Sequence, residues 1–331
     1  MINWTIEEKH LTLKYNWKIS RSESVTKNNF FLQISDGTNS GSGEVAPNIR
    51  YGETPQLVKD QFDFFLKNGA SGIKSLDDLQ NLLNFTQICN SLRFGIESAY
   101  IHFLSKIQNL PVYSFLGLDE PKNIFTAYTL PIMQIGEIQT FYKQHQLERF
   151  KYLKLKINSE NGFDLLKEVR KLSSQTIMID ANESWQNVEE LIIFLEKIKK
   201  DNIVFVEQPL PYNFEEEYKY LKQNSTFDIF ADESITDKAD FNIIREQFHG
   251  INMKLMKSGG YLNGIRLLKD ARKHGLKTMI GCMVETSLGI SSAMNLCSLT
   301  DYNDLDGFFV IENEPFNLIT EKKGQLFYSK T

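Results

Sequence analysis

The chain has 331 residues, of which 41% are apolar and 24% are charged, and its formal net charge is −5 at pH 7. This length exceeds that of one small domain and suits a large barrel with a companion domain. The mildly acidic balance argues against general nucleic-acid binding, which depends on clustered Lys and Arg side chains. The three cysteines, Cys89, Cys282 and Cys297, are far apart and predict neither a disulfide framework nor a zinc site.

The first nine residues include acidic side chains where a secretory signal would be apolar. Every apolar run is far shorter than the roughly 18 residues that a membrane span requires. We therefore expect a cytoplasmic enzyme that acts on a small molecule and has neither a nucleic-acid nor a membrane partner.

Residues 1–115 show a mixed pattern of strands and helices. The apolar run at 30–35 predicts a short strand that ends at an Asp-Gly turn. The Gly- and Ser-rich segment 39–44 has the composition of a flexible linker, but it is too short to separate domains and predicts a loop. Apolar residues at helical spacing predict helices between about 54 and 106.

From about residue 125, short apolar runs alternate with charged amphipathic helices. The pattern predicts strands at 125–131, 152–157, 176–180, 203–207, 228–232, 250–255 and 277–280. It predicts helices between them at 163–172, 187–199, 214–222, 238–247 and 264–274. This alternation is typical of βαβ units with a parallel sheet, and seven or eight units in series favour a closed barrel over an open sheet.

Three acidic residues, Asp180, Glu207 and Asp232, stand at the carboxyl ends of consecutive predicted strands. In a barrel, these ends converge on one rim, where active sites form. Three carboxylates brought together repel one another, and a hard divalent cation such as Mg²⁺ removes that repulsion. The alternative is that each residue leaves its strand for solvent or caps the next helix.

Lysines show a similar placement. Lys154 and Lys156 alternate on the strand before Asp180, so their side chains lie on the same face of the sheet. Lys254 lies on the strand two units after Glu207, across the predicted rim from Lys156. Two neighbouring ammonium groups are expected to lower the pKa of one of them toward neutrality, which makes a usable base. The alternative is an exposed edge strand with solvated lysines.

Taken together, these residues resemble the signatures of the enolase superfamily, in its muconate-lactonizing branch. The segments that carry the resemblance are Lys154-Leu155-Lys156, Asp180-Ala181-Asn182, Val206-Glu207-Gln208-Pro209, Ala231-Asp232-Glu233-Ser234 and 252–260. The resemblance implies an α/β fold: a modified TIM barrel of the (β/α)7β type with an α+β capping domain. It implies a capping domain at 1–120, a barrel at 121–307 and a C-terminal segment at 308–331 that returns to the cap.

Within that branch the chain is most similar to the dipeptide epimerases, whose best known members act on L-Ala-D/L-Glu. The resemblance implies that Mg²⁺ is held by Asp180, Glu207 and Asp232. It implies that Lys156 and Lys254 are opposed bases that epimerise the α-carbon of a dipeptide's C-terminal residue through an enolate. Lys154 would then lower the pKa of Lys156 and contact the substrate carboxylate.

The same resemblance points to further substrate-binding residues. Asp304 and Asp306 match the family's Asp-x-Asp motif, which holds the substrate's α-ammonium; a surface turn is the alternative. Met283 lies in the segment 281–286, which is similar to the family's loop after strand 7. Arg21 ends a segment that is similar to a mobile loop of the capping domain, and its guanidinium could bind a side-chain carboxylate; an ordinary surface arginine is the alternative.

Other activities of such a barrel are the competing interpretations. Muconate cycloisomerisation and dehydration to o-succinylbenzoate use the same site, and a barrel without catalysis is a third possibility. Asp304 and Asp306 favour the epimerase, because neither rival substrate has an ammonium group to bind. The side chain of the second dipeptide residue and the oligomeric state are left open, although members of the family are often symmetric assemblies. A role in recycling cell-wall peptides is implied only by the resemblance.

Overall fold

The computed structural model describes residues 2–20 and 22–329. An antiparallel sheet in the order β1-β2-β3 is formed by β1 (Asn3–Ile19), β2 (Ser22–Ser35) and β3 (Ser40–Val45). The helices that follow are α1 (Pro55–Lys67), α2 (Leu76–Thr86), α3 (Asn90–Gln108) and α4 (Val112–Phe115). The starts of α1 and α2 are capped by the side chains of Thr54 and Ser75, which accept backbone N–H groups of the first turn. We call this sheet and its helices the capping domain.

The loop predicted at 39–44 is wrong, because most of this segment belongs to strand β3. The glycines are required by close packing against α3. A Cβ on Gly41 would lie 2.1 Å from the carbonyl oxygen of Ala99, and one on Gly43 would lie 2.1 Å from that of Gly95. The short strand predicted at 30–35 is the end of the longer β2.

In the described part of the chain, eight parallel strands form one sheet whose spatial order follows the chain. They are β4 (Ala127–Leu130), β5 (Tyr152–Lys156), β6 (Thr176–Asp180), β7 (Ile203–Glu207), β8 (Asp228–Ala231), β9 (Gly250–Lys254), β10 (Lys277–Gly281) and β11 (Tyr302–Asp304). Each of the first seven is followed by helix, so the modified TIM barrel of the (β/α)7β type is confirmed. The seven predicted strands, β4 to β10, lie within two residues of their predicted bounds, and β11 was not among the predicted strands.

The barrel helices are α5 (Ile138–Gln144), α6 (Gly162–Leu172), α7 (Val188–Lys197), α8 (Glu215–Asn224), α9 (Phe241–Gln247), α10 (Leu255–Ser258), α11 (Tyr261–Lys273) and α12 (Ser287–Met294). The five helices predicted between the strands lie within three residues of the observed bounds. Across residues 2–20 and 22–329, no helix has both the length and the apolar character needed to cross a membrane.

The barrel closes between its first and last strands through side chains. The N–H of Leu305 donates to Oγ1 of Thr126 at 2.8 Å, and the N–H of Thr129 donates to Oδ2 of Asp306 at 2.6 Å. Among the described residues, β4 and β11 are not joined by a backbone hydrogen-bond ladder, and these side-chain bonds connect the two strands instead. Closure therefore depends on particular side chains at this seam.

The C-terminal residues contact both parts of the molecule. Ile311 forms an antiparallel bridge with Leu13 of β1. The final hairpin, β12 (Ile319–Lys322) and β13 (Gln325–Tyr328), lies beside the start of the barrel, where the N–H of Leu326 donates to the carbonyl of Ile124 at 2.8 Å. The segment thus ties the capping sheet to the base of the barrel.

Inside the barrel, one set of inward-pointing side chains is apolar. This lower layer consists of Ala127, Met178, Phe205, Phe230 and Met279, all of which are fully buried. The rings of Phe205 and Phe230 stack with their centroids 4.0 Å apart. Since alternate residues of a strand share a face, the next inward positions along β6 and β7 are Asp180 and Glu207.

Candidate active site

The three predicted acidic residues meet at one end of the barrel. Asp180 and Glu207 end β6 and β7 and pair in register, and Asp232 follows β8 directly. All three are buried, with at most 3% of each residue exposed. We call these acids, together with Lys156 and Lys254, the upper layer.

Lys154 is surrounded by carboxylates. Its Nζ lies 2.7 Å from Oδ2 of Asp304, 2.8 Å from Oε2 of Glu207 and 3.1 Å from Oδ2 of Asp180. Burial acts to lower the pKa of Lys154, but these carboxylates, Asp180 first, hold it well above its ordinary value. The effect expected from a neighbouring ammonium group is therefore outweighed at Lys154 by the acids around it.

Lys156 and Lys254 stand on opposite walls of the barrel, because β5 and β9 are four strands apart in a sheet of eight described strands. Nζ of Lys156 donates to Oδ2 of Asp180 at 2.7 Å and to Oδ1 of Asn182 at 3.1 Å. Nζ of Lys254 donates to Oδ2 of Asp232 at 2.9 Å. Burial acts to lower the pKa of Lys254, but the Asp232 carboxylate raises it above its ordinary value. Both amines thus face the same group of acids from opposite sides.

A further buried lysine was not singled out from the sequence. Nζ of Lys257 lies 2.5 Å from Oδ1 of Asp232, and only 3% of the residue is exposed. It lies on the single turn of α10, three residues after Lys254. The turn that directly continues β9 brings both amines to Asp232, and the short separation of the two lysines in the sequence was the available signal.

The three acids differ electrostatically. Burial raises the pKa of Glu207 to about 8; Lys154 opposes this rise, and Asp180 and Asp232 add to it. Burial also acts to raise the pKa of Asp180, but Lys154 and Lys156 lower it below its ordinary value. Oε1 of Glu207 accepts a hydrogen bond from Nδ2 of Asn252 at 2.8 Å. Oε2 is close to Lys154, yet no described donor is aligned with it for a hydrogen bond.

No three His, Cys, Asp or Glu side chains among residues 2–20 and 22–329 form a ready-made metal cage. Lysine ammonium groups lie against the oxygens of Asp180, Glu207 and Asp232 instead. The donor set still fits a hard divalent cation, because it consists of buried carboxylates and includes one oxygen without an aligned donor. A cation bound there would take the place of ammonium groups as the partner of these oxygens.

The turns that follow β6 and β7 are strained. Asn182, Glu183 and Gln208 have φ values of 42°, 64° and 37°, in the left-handed region that non-glycine residues rarely adopt. Each such residue costs about 1–3 kcal/mol and persists where its surroundings hold it. Oε1 of Gln208 accepts the N–H of Asp232 at 2.8 Å, which orients that acid. The sequence motifs include Asn182 and Gln208 but not Glu183, and no role was predicted for any of the three.

Asp304 and Asp306 do not form a surface turn, since only 5% of each is exposed. Oδ2 of Asp304 accepts from Lys154, and within the described chain Oδ1 has no hydrogen-bond partner. Burial raises the pKa of Asp306 to about 7, and the Asp304 carboxylate adds to the rise. An ammonium group brought to this pair would therefore gain a buried, unpartnered acceptor.

Two loops of the capping domain reach the rim. Oγ of Ser20 donates to the carbonyl of Asn182 at 2.8 Å, and Nη2 of Arg50 donates to both carboxylate oxygens of Glu183. A cavity of about 540 Å³ lies between these loops and the rim. These contacts were not predicted, because they join residues more than 130 positions apart.

Of the two remaining predicted binding residues, Met283 is described and Arg21 lies outside the described residues. Met283 is partly buried, and its Sδ accepts from Nδ2 of Asn48 at 3.7 Å. The loop after β10 therefore touches the loop of the capping domain that carries Arg50.

Comparison of the whole sequence with known proteins agrees with this architecture. The sequence model of the family described as "Enolase C-terminal domain-like" matches residues 137–313. An L-Ala-D/L-amino acid epimerase from Pedosphaera parvula is 32% identical, over 96% of this chain and 94% of that protein. The L-Ala-D/L-Glu epimerase of Bacteroides thetaiotaomicron is 26% identical, over 96% of this chain and 82% of that protein. Fold and sequence together define an enolase-superfamily protein.

Solved structures show the same fold. A substrate-liganded L-Ala-D/L-Glu epimerase from Bacillus subtilis has a TM-score of 0.89 at 24% identity, over 99% of this chain and 96% of that one. A dipeptide epimerase from Cytophaga hutchinsonii, complexed with Mg and D-Ala-L-Val, has a TM-score of 0.89 at 24% identity, over 99% of this chain and 93% of that one. Within its superfamily the chain belongs to the dipeptide epimerases, a group of isomerases.

Proposed function

We propose that this protein is a Mg²⁺-dependent dipeptide epimerase that moves a proton at the α-carbon of its substrate's C-terminal residue. The observation that carries the proposal is the pair of amines on opposite walls of one barrel, Lys156 on β5 and Lys254 on β9. Epimerisation needs a base on one face of the α-carbon and an acid on the other, and this arrangement supplies both.

The two lysines exchange roles according to the epimer that binds. For one epimer, the neutral amine of Lys156 accepts the α-proton and the ammonium of Lys254 returns a proton to the opposite face. For the other epimer, the direction is reversed. The carboxylates of Asp180 and Asp232 orient the two side chains through hydrogen bonds of 2.7 and 2.9 Å, so that the two amines face the same group of acids from opposite sides.

Asp180, Glu207 and Asp232 are the residues that would hold Mg²⁺. When bound, Mg²⁺ supplies positive charge that stabilises the negative charge developing on the substrate carboxylate as the α-proton leaves. Mg is present in the solved dipeptide epimerases from Methylococcus capsulatus and Enterococcus faecalis as well as in the Cytophaga protein, which supports the proposal. For Mg²⁺ to bind, the Lys154 ammonium group would have to move away from Oε2 of Glu207, which lies 2.8 Å from it.

Asp304 and Asp306 would receive the substrate's α-ammonium, which fixes the register of the dipeptide between the two lysines. Lys154 would then share Asp304 with the substrate and contact its carboxylate. We propose L-Ala-D/L-Glu as the first substrate to test, with Met283 among the residues that bind it; binding of its side-chain carboxylate by Arg21 stays a prediction from the sequence. Relatives include hydrophobic dipeptide epimerases and L-Ala-D/L-amino acid epimerases, so a substrate panel must span acidic, apolar and basic second residues.

The test is deuterium uptake. The purified protein with Mg²⁺ in D₂O is given L-Ala-L-Glu, L-Ala-L-Leu and L-Ala-L-Lys in separate reactions, and the α-proton signal of the second residue is followed by NMR. We expect deuterium at that carbon and formation of the L,D epimer for at least one of them. Lys156→Ala and Lys254→Ala should each abolish epimerisation, while exchange from a single epimer survives in one of them.

A matched control is Lys277→Ala, because this lysine also pairs with an aspartate, Asp228, but at the opposite end of the barrel. It should retain the parent rate. Epimerisation at the parent rate in both Lys156→Ala and Lys254→Ala would show that the two-base assignment is wrong. Absence of exchange with every dipeptide of the panel would count against the proposed function itself.

A further inference from the structure

The turn that follows β6 is held from two directions. From the capping domain, Nη2 of Arg50 donates to both carboxylate oxygens of Glu183, at 2.8 and 2.7 Å, and Ser20 donates to the carbonyl of Asn182. From the barrel, the carbonyl of Gln208 accepts the N–H of Glu183 at 2.7 Å. Two separate loops of the capping domain therefore form hydrogen bonds with the consecutive residues Asn182 and Glu183.

The backbone conformation of Asn182 and Glu183 determines where the Asn182 side chain, a hydrogen-bond partner of Lys156, lies. Asn182 and Glu183 are consecutive and both left-handed, a conformation that relaxes unless contacts maintain it. The carboxamide Oδ1 of Asn182 accepts from Nζ of Lys156 at 3.1 Å. If the turn relaxed, the carboxamide would move away, and Asp180 would be left as the acceptor of Lys156.

Arg50 is itself well fixed. It lies in the short 3-10 helix Ile49–Tyr51, whose start is capped by the side chain of Asn48. Its guanidinium lies 5.2 Å from the centroid of the Tyr212 ring, and the N–H of Tyr212 donates to the same Glu183 carboxylate at 2.9 Å. The Glu183 side chain is only 9% exposed, so solvent screens the ion pair less than a surface pair.

We propose that Arg50 is a positioning residue for Lys156. Its ion pair with Glu183 maintains the left-handed turn that directs the Asn182 carboxamide at Lys156. Contact of the Arg50 loop with the barrel thereby orients Lys156. Lys254, on the opposite wall, donates instead to Asp232. This inference rests on the proposed function, in which Lys156 serves one face of the α-carbon.

The prediction is an asymmetry between epimers. When Lys156 is misplaced, an epimer whose α-proton faces Lys254 still loses that proton, but Lys254 returns a deuteron to the same face more often. In Arg50→Ala we expect kcat to fall about tenfold with KM changed less than threefold. For that epimer, deuterium exchange with retention should rise about tenfold relative to inversion. For the other epimer this ratio should fall, because the misplaced Lys156 is then the group that returns the proton with retention.

Two variants serve as controls. Arg50→Lys should recover at least half of the lost kcat, because a single arginine nitrogen serves both oxygens and an ammonium group can do the same. Arg149→Ala removes a matched ion pair: Arg149 and Glu321 are 31% and 10% exposed, against 32% and 9% for Arg50 and Glu183. Arg149 precedes β5, at the other end of the barrel, and its variant should match the parent.

The inference is overturned if Arg50→Ala slows epimerisation without a rise in retention for the epimer that faces Lys254, because Arg50 then only holds the capping domain against the barrel. It is also overturned if Arg149→Ala shows the same asymmetry, or if Arg50→Ala lowers kcat further in an Asn182→Ala background. The effects of Arg50→Ala and Asn182→Ala on kcat are expected to be non-additive, because Arg50 acts through Asn182.

A measurement without turnover separates this inference from the proposed function. In protein labelled with ¹³C at the lysine ε-carbons, the Lys156 signal is assigned by its loss in Lys156→Arg. Arg50→Ala should shift the Lys156 signal more than that of Lys254, and Arg149→Ala should shift neither. An unmoved Lys156 signal overturns the inference, even if no dipeptide is turned over.

Discussion

The two layers inside the barrel differ in chemistry although the same strands build both. In the lower layer, Met178, Phe205 and Phe230 pack without a polar atom among them, and all are fully buried. In the upper layer, two residues further along the direction of each of these strands, Asp180, Glu207 and Asp232 are almost equally buried. A step of only two positions along each strand thus separates a hydrophobic core from a cluster of charges.

The comparison shows where stability and chemistry reside. Burial of apolar rings stabilises the fold by about 25 cal/mol per Å² removed from water. A buried ion pair gains little net stability, since desolvation offsets the attraction, although removing one partner is costly. We infer that the lower layer holds the barrel together and that the upper layer is retained for its function.

The largest expected effect lies in the upper layer. Lys254→Met should lower kcat for epimerisation about 10³-fold, because one of the two proton-transferring groups is lost. The free energy of unfolding should change by less than about 2 kcal/mol, since Lys257 still pairs with Asp232 at 2.5 Å. Urea unfolding and the D₂O assay on the same preparation measure both quantities. A loss of stability beyond about 4 kcal/mol would show that the upper layer does carry the fold.

The reverse result is expected in the lower layer. Phe230→Ala should lower the free energy of unfolding by about 3–5 kcal/mol, because it removes a buried ring stacked on Phe205. The protein that remains folded should keep kcat within about threefold of the parent. Phe163→Ala, at a side chain that is half exposed, is the matched control and should change stability by less than about 0.5 kcal/mol. A large loss of kcat at unchanged stability would break the distinction between the layers.

A smaller effect is expected at the seam of the barrel. Thr126→Val removes the acceptor of the buried N–H of Leu305 and should cost about 1–3 kcal/mol of unfolding free energy. Thr126→Ser keeps the hydroxyl and should retain most of that stability. Denaturant midpoints of the three proteins test this, and equal midpoints for Val and Ser would show that packing rather than the hydrogen bond closes the seam.

The smallest effect, taken per pH unit, concerns a buried acid just beyond the upper layer. Burial raises the pKa of Glu285 to about 8, and the carboxylate of Glu44 adds to the rise. The unfolded chain releases this proton near the ordinary value of about 4.3, whereas the folded chain keeps it to about pH 8. The free energy of unfolding should therefore fall as pH rises between these values, by at most about 1.4 kcal/mol per pH unit.

Glu285→Gln should make that decline shallower, which urea unfolding at pH 5.5, 6.5 and 7.5 can measure. Glu215→Gln, at the exposed start of α8, should leave the slope unchanged. An identical slope in Glu285→Gln and the parent would mean that Glu285 is already ionised in the folded protein.

Most of the barrel could be predicted from the sequence. Parallel strands are buried on both faces, so they are short continuous apolar runs, and the bounds of the seven predicted strands, β4 to β10, were found within two residues. Strand β11 was not predicted, and β3 was wrongly predicted as a loop, because its composition of Gly and Ser is shared by flexible linkers and by strands that a helix approaches closely. Only the contact of Gly41 with Ala99 distinguishes the two cases.

Some features of the candidate site could likewise be predicted from the sequence, and others could not. Lys154 and Lys156 could be placed on one face because a strand has a strict two-residue period. The contact of Arg50 with Glu183 has no such signal, since the two residues belong to different domains. The pKa of Lys154 was also beyond reach, because its direction depends on carboxylates from three other strands.

The order of strands and helices, the position of each acid at a strand end and the pairing of lysines along β5 were determined by the sequence alone. These features follow from periodicities of two and 3.6 residues, which act between near neighbours in the chain. The closure of the barrel, the partner of each buried ammonium group and the docking of the capping loops were decided by the tertiary structure. Hydrogen bonds and electrostatic interactions depend on distance in space, and the fold alone brings residues from distant parts of the chain within 3 Å of one another.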